Sequence, residues 1–136
     1  MRDSNAMGMT VIFGALGALT GLMGVAAGAF AAHALRGTLA PELYQAFETG
    51  ARYQLIHALA LVLVALALER SDGRALVFAG WCSTAGQALF GGSLYLLALT
   101  GARWWGAITP LGGLGYMAGW IALGFGMLRR GAGATA

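Results

Sequence analysis

Four long stretches of this chain carry no charge, and their spacing restricts the fold more than any motif does. No Asp, Glu, Lys or Arg occurs from Met9 to Ala32, from Gln54 to Leu68, from Ala75 to Ala102 or from Trp104 to Leu128. A helix needs ~20 apolar residues at ~1.5 Å each to cross ~30 Å of hydrocarbon, and the first, third and fourth stretches reach that length alone. The second does so if it extends back through Tyr53 or ends at Glu69. Hydrophobic residues make up 59% of the chain and charged ones 10%, so a soluble packing would leave nearly every surface apolar. The expectation is an all-α fold, a compact four-helix transmembrane bundle.

Glycine sharpens that expectation. Gly14, Gly17, Gly21, Gly24 and Gly28 recur at steps of three and four in the first stretch, and Gly112, Gly115, Gly119 and Gly126 follow a similar rhythm in the last. In a soluble helix each interior glycine costs about 1 kcal/mol relative to alanine. In a membrane the same stripe gives a face almost without side chains, where a second helix comes very close. The two stripes suggest that the first and last helices are partners.

Three regions are expected: a disordered segment over 1–8, a four-span membrane domain over 9–130 and a disordered tail over 131–136. The first helix covers Thr10 to Ala32, with His33 and Arg36 at the membrane boundary. Pro41 suits the first turn of a new helix, and Leu43, Ala46, Phe47 and Gly50 give it an apolar face. That segment is either an interfacial helix before the second span or the wet first turns of a long second helix. Glu48 and Arg52 stand at i,i+4, the spacing of a helical ion pair. The second connector contains an Asp72-Gly73 turn signal, and Trp104-Trp105 follows the third at interface depth. Pro110 predicts a kink or a short broken start to the last helix. An N-terminal signal peptide is the competing reading of the first stretch, but its apolar region is about twice the usual 7 to 15 residues. No internal duplication is convincing.

The net charge of +3 arises from eight arginines and no lysine, without a cluster of the kind that grips nucleic acid. Four spans place Arg2, Arg70, Arg74, Arg129 and Arg130 on one side and Arg36, Arg52 and Arg103 on the other. Five against three favours cytoplasmic termini. The lone Cys82 excludes an intrachain disulfide and suits a small packing position.

Among polar residues, His57 is the most informative, because an ionisable side chain at membrane depth is a functional suspect by default. Three roles are open to it: a hydrogen bond that fixes helix register, proton or ligand handling, and metal ligation. A site shared with His33 would need further ligands, Glu48 being the nearest carboxylate, and nothing sets a metal-binding spacing. No metal or cofactor is expected. Ser83 and Gln87 share a helix face with Gly80, Gly91 and Leu94 and form a weakly polar seam. No nucleophile elbow, zinc motif, phosphate loop or acidic pair at membrane depth is present, so no enzyme is expected.

The chain also resembles a known family. Gly28-Ala29-Phe30-Ala31-Ala32-His33-Ala34-Leu35, Phe47-Glu48-Thr49-Gly50-Ala51-Arg52-Tyr53-Gln54-Leu55-Ile56-His57-Ala58, Leu89-Phe90-Gly91-Gly92-Ser93-Leu94-Tyr95 and Gly106-Ala107-Ile108-Thr109-Pro110-Leu111-Gly112-Gly113 occur in that order. They are similar to stretches of the YgdD/YwdK family of small bacterial inner-membrane proteins of unknown function, across roughly residues 10 to 128. Where similar sequences often read Gly-Ala-Phe-Gly-Ala-His, this chain has Ala31 in place of the second glycine. The resemblance implies four helices in the inner membrane and no established reaction. It draws attention to His33, Thr49, Tyr53, Gln54, His57, Ser93, Tyr95 and Thr109 as a candidate polar cluster, several of which are expected to converge at the membrane face opposite the termini. The function expected is structural or interactive, with lipid, a second copy or another membrane protein as partner and no nucleic acid. The alternative is a small transporter, channel or ligand-handling protein with a polar site near His57.

Overall fold

The computed structural model describes residues 4–71 and 73–133. It contains helix α1 (Ser4–Phe30), which continues into a π-helical segment (Ala31–Leu35), and helix α2 (Pro41–Leu68). Helix α3 (Arg74–Gly86), a second π segment (Gln87–Gly91) and helix α4 (Gly92–Thr100) follow as one uninterrupted rod. A 3-10 turn (Arg103–Ala107) leads into helix α5 (Thr109–Gly133). Four rods therefore cross back and forth, and no strand occurs among the described residues.

Three of the four are long and apolar enough to span a membrane: Met7–Leu35, Pro41–Leu68 and Arg103–Arg129. The Arg74–Thr100 rod has comparable length, but Ser83, Thr84, Gln87, Ser93 and its glycines lower its hydropathy. The segment before the second span is not a separate interfacial helix. Pro41 sits in the first turn of α2, where its missing N–H costs nothing, and the helix then runs straight through to Leu68. Glu48 meets Tyr44 rather than Arg52, accepting a hydrogen bond from the Tyr44 hydroxyl at 3.0 Å. At the other proline the chain makes the broken start: Pro110 lies in the first turn of α5, directly after the 3-10 turn that stacks Trp104 on Trp105 at 3.9 Å.

The first and third connectors meet at one end, where Ala40, Glu42 and Leu43 border a surface groove with Leu97, Gly101 and Arg103. Gly101 stops the third rod there, with φ at 70°, a left-handed conformation that glycine adopts without penalty. Two apolar clusters hold the ends of the bundle. Phe13, Leu61, Val64, Leu68, Leu76, Ala79 and Leu123 pack near the termini. Ala31, Leu35, Phe47 and Ala98 pack at the connector end, with Tyr44 and Tyr95 against them.

The glycine stripes do not join the first helix to the last. Instead α1 lies against α2, and α5 lies against α3. A Cβ at Gly17 would fall 2.8 Å from Val62 Cγ2 and 2.9 Å from the Ala58 carbonyl oxygen, and one at Gly24 would fall 2.9 Å from Leu55. On α5, a Cβ at Gly112 would run into the Phe90 backbone, and at Gly119 it would approach Ser83 Oγ at 2.8 Å and the Ala79 carbonyl at 3.3 Å. Gly115 faces Gly86 and the Cys82 carbonyl, glycine against glycine. Gly14 and Gly21 make ordinary contacts with Ala65 and Ala58, whereas Gly28 faces open space and belongs to no packing face. Each stripe meets the rod adjacent to it in sequence, because helices joined by short connectors pack as antiparallel neighbours.

The helical part begins earlier and ends later than the sequence suggests. Residues 4–8 are helical within α1, and α5 reaches Gly133. The remainder of the two expected disordered ends, 1–3 and 134–136, and Asp72 of the expected turn lie outside the described residues.

Candidate functional site

Between the two apolar clusters lies a polar and aromatic layer. Thr20, Gln87 and Tyr116 stand near the midpoints of three charge-free stretches, and Gln54 and His57 reach the same level from α2. The Gln54 side-chain nitrogen donates to the Thr20 carbonyl oxygen at 2.9 Å, and its oxygen accepts from the Tyr95 hydroxyl at 2.7 Å. One amide thereby ties together α1, α2 and α4. A buried amide that spends both ends on separate helices is an efficient register lock in hydrocarbon, where no water competes.

His57, one turn on, meets α5 instead and is only 2% exposed. Its Nδ1 lies 2.8 Å from the Tyr53 carbonyl oxygen, and the Trp120 indole N–H donates to Nε2 at 3.0 Å. A carbonyl oxygen only accepts and an indole N–H only donates, so the ring carries its proton on Nδ1 and a lone pair on Nε2. That is the neutral imidazole with both nitrogens engaged. The ring is further enclosed by Tyr116, stacked on it with centroids 3.4 Å apart and planes 10° apart. Tyr53 and Phe90 complete the aromatic group, 4.9 Å from one another, and Phe90 lies 5.3 Å from Tyr116. No nitrogen remains to bind a metal, and among the described residues no group of three His, Cys, Asp or Glu side chains could hold one.

The eight candidate polar residues, several of which were expected to converge at the face opposite the termini, fall into separate groups. Gln54 meets Tyr95 of α4, whereas Tyr53 and His57 meet α5. Ser93 and Thr109 form their own pair, hydroxyl to hydroxyl at 2.8 Å, where α4 meets the start of α5. His33 lies in the first π segment and is exposed, with no part in these networks, and Thr49 is half-buried apart from them. The reason is rotational: residues near one end of four helices share a level, but the face each presents depends on helix partners that spacing does not reveal.

Phe90, Tyr116 and Trp120 carry the His57 side of the site and were not among the expected residues. Tyr116 and Trp120 stand at i,i+4, the same interval as Tyr53 and His57, so α2 and α5, which run parallel as the second and fourth rods, present matched aromatic pairs. That interval within an uncharged span was the available signal.

Three polar atoms of the layer are unsatisfied. Both the nitrogen and the oxygen of the Gln87 amide, and the Tyr116 hydroxyl, are buried without a hydrogen-bond partner. Each such group costs roughly 1–3 kcal/mol where it is shielded from water. Gln87 opens the second π segment, and π segments widen a helix by one residue and are frequent at functional sites. It also lines a groove of about 260 Å³ between α1 and the third rod, together with Thr20, Met23, Gln54, Thr84, Ala88, Gly92 and Tyr95. The groove arises because α1 touches α3 closely only near the termini, where the Phe13 ring occupies the space that a side chain at Gly80 would take.

Comparison with known proteins agrees with the fold. The family described as "Protein of unknown function (DUF423)" matches residues 27–113, which include His33, Gln54, His57, Gln87 and Pro110. Among curated relatives, the UPF0382 membrane protein YwdK of Bacillus subtilis (strain 168) is 42% identical over 113 residues, covering 82% of this chain and 92% of the relative. The UPF0382 membrane protein SH2409 of Staphylococcus haemolyticus (strain JCSC1435) is 42% identical over 112 residues, covering 82% and 91%. The UPF0382 inner membrane protein YgdD of Escherichia coli (strain K12) is 39% identical over 115 residues, covering 82% and 86%. No solved structure matches. Four antiparallel helices, an uncharged interior and this extent of identity lead to one conclusion: the chain is an integral membrane protein of the DUF423 family, whose function is unknown.

Proposed function

We propose that the protein works as a structural or interaction element of the bacterial inner membrane, in contact with lipid and with either a second copy or another membrane protein. One observation carries this reading: His57, the residue on which proton transfer or metal chemistry would rest, spends both ring nitrogens inside the bundle, on Tyr53 and Trp120. With Gln54 and His57 so engaged, these two side chains of the polar layer fix helix register. The outer surface supports the same view, since Val11, Leu22 and Val25 of α1 are each more than 60% exposed and suit lipid or a partner helix. On this reading the protein is not an enzyme and has no nucleic-acid partner. Both termini are cytoplasmic, on the side of Arg70, Arg74, Arg129 and Arg130.

Copurification from native membranes, with mass spectrometry of protein and lipid, tests the proposal. A second copy or a specific membrane protein retained in fixed ratio is the expected result. A monomer accompanied only by lipid in bulk proportions would leave no interaction role. Accessibility of the C-terminus in sealed right-side-out vesicles tests orientation, and an accessible C-terminus would reverse it.

A further inference from the structure

We infer that the groove over Gln87 binds the uncharged carboxylic acid head of a single-chain lipid, taken up sideways from the membrane. The groove lies between α1 and the third rod at mid-membrane level, and Ala88, on its outer edge, is exposed to the surroundings of the bundle. Its lining contains no Asp, Glu, Lys, Arg or His, so nothing there would neutralise a charged head. A volume of about 260 Å³ holds a head and part of a chain but not a two-chain phospholipid.

The polar partners of the groove narrow the choice of head. The Thr20 and Thr84 hydroxyls donate to carbonyls one turn back, at 2.7 and 2.9 Å, and Gln54 is occupied by Tyr95 and the Thr20 backbone. Gln87 alone is free: it is 7% exposed, and its amide nitrogen and oxygen have no partner. A primary amide sets a donor and an acceptor side by side. The matching group must accept with one atom and donate with its neighbour, as the C=O and O–H of a protonated carboxyl do in a planar two-point pair. A quinone or an ester offers acceptors only and would leave the Gln87 oxygen unpaired. Both amide atoms are covered, so the head meets them when the Gln87 side chain turns into the groove it lines.

The test uses the full chain in phosphatidylcholine vesicles, palmitic acid bearing a diazirine on its chain, and peptide mapping after irradiation. Two variants accompany the wild type: Gln87→Leu removes the amide while keeping the volume, and Ala88→Phe plugs the groove from its exposed edge without entering the core. The expected result is labelling concentrated on residues 16–25 and 84–95, reduced about tenfold by either variant, the scale of one lost two-point hydrogen bond. Unlabelled palmitic acid competes and methyl palmitate does not. Labelling spread evenly over the lipid-facing helices, labelling unchanged in both variants, or equal competition by methyl palmitate would each overturn the assignment.

Discussion

The indole N–H of Trp120 donates to Nε2 of His57 at 3.0 Å, across 63 residues of sequence, and so decides which form of imidazole the bundle contains. With Nδ1 against the Tyr53 carbonyl at 2.8 Å, only the neutral Nδ1–H tautomer satisfies both contacts. Nitrogen NMR of the ring in lipid nanodiscs should therefore show a protonated Nδ1 and an unprotonated Nε2. The opposite tautomer would refute the arrangement.

Removing the donor should have a small and separable effect. Trp120→Phe keeps a large ring on α5 but leaves Nε2 without its hydrogen bond, for an expected loss of about 1 kcal/mol. His57→Ala should cost more, about 2–4 kcal/mol, because it also opens a cavity beside Tyr116, whose ring lies 3.4 Å from the imidazole. Reversible unfolding in mixed micelles compares the two. An equal loss in both variants would mean that the hydrogen bond, not the stacked packing, dominates.

The glycines divide by what stands opposite them. A Cβ at Gly112 meets the Phe90 backbone, which cannot step aside as a side chain tip would, and one at Gly17 falls 2.9 Å from the Ala58 carbonyl. Gly112→Ala and Gly17→Ala should each destabilise by about 1–3 kcal/mol through forced separation of the helices. Gly28→Ala, facing open space, should stay within about 0.5 kcal/mol of wild type or gain from helix propensity. Equal losses at all three positions in the same unfolding assay would show that the stripe acts through backbone flexibility rather than closeness.

These positions also show what was legible in the sequence. Charge-free stretches of membrane length identify helices whatever surrounds them, and Pro41 and Pro110 mark their starts by local geometry that no partner alters. A glycine stripe, by contrast, states how closely something approaches and not what approaches. Gly17 and Gly112 therefore suggested a first-to-last helix pair, where the bundle has α1 on α2 and α5 on α3. The polar site was partly legible for the same reason. Gln54 and His57 stand out in an apolar run at i,i+3, the spacing of one helix face, yet they meet different helices there, Tyr95 of α4 and Trp120 of α5. Helix rotation about α2 sets those pairings, and single-sequence periodicity does not contain it.

The unsatisfied atoms of the polar layer give the last prediction. Gln87 and Tyr116 bury an amide and a hydroxyl without partners, and such groups weaken a fold unless something else uses them. Replacing both by apolar groups of similar shape, as in Gln87→Leu with Tyr116→Phe, removes the desolvation cost and retains the ring stacked on His57. The double variant, delipidated and measured in detergent, should be more stable than wild type by about 1–3 kcal/mol, with each single variant contributing a part. A destabilised double variant would mean that the two side chains already satisfy each other or hold an internal water, and the polar layer would then be complete as it stands. A stabilised one would mean that the fold carries these groups at a cost, as proteins do at sites where stability is exchanged for function.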